Sequence, residues 1–164
     1  HLESNEHPAA FEKGRVDAAV TFDPFRSQIL RAGGTTVFDS TQIPGEVVDL
    51  IAVRGDILEK NPERVKALLS GWFSAIGYLQ SDPKDATRRM GVRQQRSGEE
   101  FQETLKGLRF PSRDENLQMI AGAPPSLAVS GRLLMELMLD GKLLRGTVSI
   151  DGLLAPGPLQ SLSR

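Results

Sequence analysis

Two rhythms of hydrophobic and polar positions run along the chain. In its first third, short apolar or β-branched runs occupy residues 16–22, 35–38 and 47–53. Turn or helix signals separate them: Asp23-Pro24, Gly33-Gly34 and Pro44-Gly45. The run at 47–53 is apolar enough to be covered on both faces. Three strands interspersed with a short helix carrying Phe25, Ile29 and Leu30 predict an α/β sheet. A short helical piece over 8–13 comes before them, with Gly14 placed to end it.

After residue 54 the rhythm becomes helical. Val65, Leu68, Leu69, Trp72, Phe73, Ile76 and Leu79 recur in steps of three and four, which predicts one long helix over 62–81 with a wide apolar face and a buried Trp72. Asp82-Pro83 ends it and caps a helix reaching about Met90, followed by a charged loop to Arg96. Ser97 to Glu100 and Ser112 to Glu115 are capping boxes, in which a serine and a glutamate three residues on satisfy each other's backbone N–H groups. Ala123-Pro124-Pro125 breaks the chain. A helix from Ser126 carries Val129, Leu133, Leu134, Leu137 and Met138 and stops at Asp140-Gly141. The tail from Thr147 is punctuated by Pro, Gly and Ser and is expected to be weakly structured.

Composition narrows the chemistry. At 164 residues, 39% hydrophobic and 25% charged, this is an ordinary globular composition. A net charge of -1 gives no reason to expect nucleic acid as a partner. No apolar run approaches the roughly 18 residues of a membrane span. With no cysteine, thiol catalysis and Cys-ligated metal are excluded within the chain. His1 and His7 are the two histidines, too few for a His-rich metal site. No Ser/His/Asp set is recognisable, Gly33-Gly34 lacks the residues of a phosphate loop, and no cofactor is called for.

Two carboxylates stand out. Asp23 joins the end of the first run to the start of a helix, at the edge of a sheet where ligands bind; it either caps the helix or meets a ligand, and the helix N-terminus there would offer N–H groups to an anion. Asp49 lies inside an apolar run, where a lone buried carboxylate is costly. It is either exposed, paired with Arg54, or turned to a ligand. Trp72 and Phe73, at helical spacing among Leu and Val, read as core and not as a ligand shelf. Arg88, Arg89, Arg93 and Arg96 are interleaved with acids and read as a solvated face.

The strings VDAAVTFDPF, GG, FDS, IPG, VDLIAVR and ILEKNPERVKALL, in this order and spacing, resemble the periplasmic solute-binding proteins of ABC importers for nitrate, sulfonates, taurine and thiamine precursors. The resemblance implies a partial type II periplasmic-binding fold, α/β in class, with short sheet strands followed by a helical C-terminal half. It covers the later half of such a protein. It assigns residues 1–46 to the smaller second lobe and 47–164 to a hinge strand and the helical part of the larger lobe. Thr21, Phe22 and Asp23 would line the solute cleft, Phe22-Asp23-Pro24 standing where the family carries Trp-Glu-Pro or a similar set. Asp49 would meet a ligand ammonium, as in taurine-type relatives. The implied function is binding without catalysis: a small solute held between two lobes, delivered in the periplasm to a membrane permease. The alternatives are a thiamine-pyrimidine-synthase-like enzyme, disfavoured here by the absence of cysteine, and a sensory domain of the same fold. Strands deprived of neighbours would pair with the missing half or with a second copy of the chain.

Overall fold

Side-chain oxygens fix where several helices begin. The computed structural model describes residues 2–150 and 152–162, with nine α-helices among them. These are α1 (His7–Glu12), α2 (Phe25–Arg31), α3 (Gly55–Lys60), α4 (Pro62–Ser81), α5 (Pro83–Arg93), α6 (Gly98–Leu105), α7 (Arg113–Ala121), α8 (Ser126–Asp140) and α9 (Gly157–Gln160). Asp82 Oδ1 accepts the Asp85 N–H at 3.1 Å and opens α5. Both capping boxes form. The Glu100 N–H donates to Ser97 Oγ at 3.1 Å while the Ser97 N–H donates to Glu100 Oε2 at 2.9 Å. The corresponding distances at Ser112 and Glu115 are 3.2 and 2.7 Å. Each such cap satisfies backbone donors that the helix itself leaves open.

The α/β expectation is overturned: no β-strand forms among the described residues. The runs at 16–22, 35–38 and 47–53 carry no regular secondary structure and join no ladder. Their β-branched residues suit a pleated surface, but that preference acts only against a neighbour across the sheet. None of the three runs has one. Val20 is 98% exposed and Val37 94% exposed. Among the described residues the short sheet of a partial type II fold is therefore absent, and helices are joined by irregular segments.

Two compact units result. One contains residues 1–42 and 79–109, the other 43–78 and 110–164. In the first, α1 packs on α2 and α5 on α6. Ala10 and Ile29 are buried on the former pair, and Ala86, Thr87 and Gly91 on α5. The Thr87 hydroxyl donates to the Pro83 carbonyl at 2.7 Å, which allows a hydroxyl to be buried without an orphaned donor. Gly14, at φ +61°, ends α1 in the left-handed region that a side chain disfavours. The loop expected over 90–96 begins later than its composition indicates, because α5 continues to Arg93.

In the second unit α7 packs on α8 and on α9. Here the core expectation for α4 fails. Val65 is the buried residue of that helix, while Trp72 is 43% exposed and meets Phe110 edge-on at 6.1 Å. The wide apolar face finds too little surface to cover it. The tail expectation is corrected in the other direction. Leu159 is buried on α9, and Arg113 Nη2 donates to the Gln160 and Leu162 carbonyls at 3.4 and 3.1 Å. One guanidinium nitrogen donating to two carbonyls anchors a segment whose sequence has no periodicity of its own.

Candidate functional site

The corner between the first irregular run and α2 holds three of the four candidate residues. Thr21 is partly buried, and its Oγ1 lies 3.2 Å from His7 Nδ1. The other ring nitrogen of His7, Nε2, lies 3.4 Å from the Leu2 carbonyl oxygen. Beside His7 is a cleft of about 280 Å³, lined by Leu2, His7, Val16, Ala18, Ala19 and Val20. Phe22 is 61% exposed and sets its ring edge-on to Phe25 at 5.9 Å.

Asp23 is occupied with the helix. Its Oδ1 accepts both the backbone N–H of Ser27, at 3.2 Å, and the Ser27 hydroxyl. Its Oδ2 lies 3.9 Å from an Arg26 guanidinium nitrogen, and the side chain is 15% exposed. The turn at Gly107 approaches the same oxygen. The helix starts one residue later than the sequence indicates: Pro24 holds the N-cap position and Asp23 caps from the residue before it. The helix N-terminus offers an anion fewer free N–H groups than its sequence suggests. The Arg26 N–H bonds the Phe22 carbonyl and the Ser27 N–H bonds Asp23, so these amides are taken.

Asp49 lies in the other unit, exposed within the irregular run that precedes α3. The possible pairing with Arg54 is not realised. Arg54 forks onto Asp56 instead, with Nε–Oδ1 at 2.9 Å and Nη2–Oδ2 at 3.0 Å. The costly case of a buried lone carboxylate does not arise, because no sheet covers this run.

A model of the NMT1-like family matches residues 1–92. The chain belongs to this family. That places it among the nitrate-, sulfonate- and taurine-binding periplasmic proteins. The NMT1-like match spans α1 to α4 and reaches into α5, and it includes Thr21, Phe22, Asp23 and Asp49. No curated protein and no solved structure matches the chain.

Sequence reasoning missed His7. The histidine stood outside every motif, and its meeting with Thr21 depends on how α1 and the following run fold back, which leaves no local signal. A more polar cleft of about 400 Å³ lies along α5 and α6, with Asp82, Asp85, Arg88 and Glu99 in its lining. Its charges are already engaged in part, since Asp85 pairs with Arg88 and Arg89 at 2.5 Å each. No group of three or more potential metal ligands occurs among the described residues.

Proposed function

We propose that the chain is part of the solute-binding component of an ABC importer, exported to the periplasm, and that it binds a small organic solute without transforming it. The observation that carries this reading is the NMT1-like match over residues 1–92. Its partner in transport is a membrane permease. The segment around Ile43-Pro44-Gly45 serves as a hinge. Gly45 has φ +86° and the Glu46 N–H closes on the Ile43 carbonyl at 3.2 Å, so the bend is a compact turn.

Thr21, Phe22 and Asp23 are assigned to the solute on the first unit, and Asp49 is a separate candidate on the second. The solute class is an amine-bearing one, of the taurine kind. The exposed Asp49 carboxylate supports this, as does the engagement of the Arg26 and Ser27 amides of α2. Calorimetry on the protein tests it, with taurine, propanesulfonate and nitrate as probes. Taurine should bind more tightly than propanesulfonate, and Asp49→Asn should weaken taurine by about tenfold, equivalent to roughly 1.4 kcal/mol. Equal affinity for taurine in wild type and Asp49→Asn removes Asp49 from the site. Failure of all three probes to bind overturns the assignment to this solute class.

A further inference from the structure

The ring of His7 is read from both its nitrogens. Nε2 faces the Leu2 carbonyl oxygen at 3.4 Å, and a carbonyl has no proton to give. A hydrogen bond across this distance puts the hydrogen of a neutral imidazole on Nε2 and leaves Nδ1 as the acceptor. Thr21 Oγ1 stands 3.2 Å from that acceptor. The contact can be a hydrogen bond only if the threonine donates. A hydroxyl has one proton, so Thr21 spends it on His7 and keeps only lone pairs for anything else.

We propose that His7 is a positioning residue for solute recognition: by holding the Thr21 hydroxyl proton it makes Thr21 a hydrogen-bond acceptor, selecting solutes that present an N–H donor over those that present only anionic oxygens. This rests on the reading that Thr21 contacts the solute. The rest of the corner agrees in polarity. Asp23 Oδ1 accepts from Ser27 twice, and the Arg26 and Ser27 amides are consumed within the chain. The Arg26 guanidinium is turned to Asp23 and to the Thr36 hydroxyl, at 3.9 and 3.4 Å. Removing the acceptor from His7 releases the Thr21 proton, lets it turn outward, and blunts the preference.

Two measurements decide it. Nitrogen-15 NMR of the His7 ring in the chain should show the neutral form protonated at Nε2, and protonation at Nδ1 overturns the proposal. Calorimetry on the protein uses taurine and propanesulfonate, which differ in the amine. His7→Phe should narrow the taurine-to-propanesulfonate ratio by roughly tenfold, the size of one hydrogen bond, because the freed hydroxyl can donate to an anionic oxygen as well as accept from an ammonium. In the Thr21→Val background the same His7→Phe change should do nothing further, because its effect passes through the hydroxyl. Additive losses, or an unchanged ratio in His7→Phe, overturn the role of His7 while leaving solute binding intact. If wild type binds neither probe, the solute assignment of Thr21 fails and the role of His7 fails with it.

Discussion

Asp39 shows how one residue's chemistry is set by its nearest neighbour. The Thr41 hydroxyl and backbone N–H both donate to Asp39 Oδ1, at 2.5 and 3.0 Å. The hydroxyl bond first, then the amide bond, hold the Asp39 carboxyl below its ordinary range. A depressed folded-state value means that the stabilisation is complete above the unfolded value of about 3.9 and is lost as pH falls through the folded one. Carbon-13 titration of the Asp39 carboxyl should give a midpoint below about 3.9, and Thr41→Val should bring it upward. A midpoint unmoved by Thr41→Val would detach the shift from this hydroxyl. The capping serines belong to the same scale. Ser97→Ala and Ser112→Ala should each cost about 1 kcal/mol in urea melts, since each removes the acceptor for one helix N–H.

At the scale of elements, helices were legible and strands were not. Ser97 and Glu100, three residues apart, make both bonds of their box in any chain that turns into a helix there, so the start of α6 could be read directly. The runs at 16–22 and 47–53 have the residues of strands, but a strand also needs a partner that its own sequence does not contain. The facing of helices divides the same way. The spacing in α4 identifies its apolar face, yet burial depends on how much surface other elements bring to it. Truncation separates the two cases. Leu159→Ala, on a short helix with no sequence signature, should cost about 2–5 kcal/mol. Trp72→Ala should cost less than the roughly 3–5 kcal/mol of a buried aromatic. Chemical denaturation of the two variants checks the order, and a larger loss from Trp72→Ala would place that ring in a core after all.

For the whole molecule the decisive quantity is exposed area. A folded monomer of 17.9 kDa presents about 8,000 Å² to solvent, whereas this chain presents 12395 Å². An interface between domains hides only about 600–1,500 Å², so the excess belongs to the units themselves. Part of it is a stripe on α8, where Val129, Leu133, Leu134 and Leu137 are 46–61% exposed. A helix that is apolar on nearly every side is stable when covered on nearly every side. The unpaired backbone of the irregular runs adds open donors and acceptors. The chain should therefore associate, with a second copy or with a further polypeptide. Light scattering of the purified chain at tens of micromolar gives the answer. A mass of two or more chains is expected. Leu133→Glu with Leu137→Glu should reduce it if the α8 stripe is the contact, and a stable monomer would show that the exposed area is tolerated.

The candidate site follows this division. Thr21, Phe22, Asp23 and Asp49 could be named from the sequence because a family pattern orders them, and the NMT1-like match covers all four. That Asp23 caps α2 was also open to sequence, since the bond spans four residues. His7 was not, because its hydrogen bond to Thr21 crosses 14 residues and exists only once α1 and the following run are placed. By itself the sequence determined what depends on neighbours a turn away, the capped starts of α5, α6 and α7, and the order of its motifs determined the family. Only the tertiary structure decided whether the β-rich runs found partners, which apolar faces were covered, and what faced Thr21. Those outcomes rest on contacts between distant residues, whose gain must exceed the entropy of bringing them together.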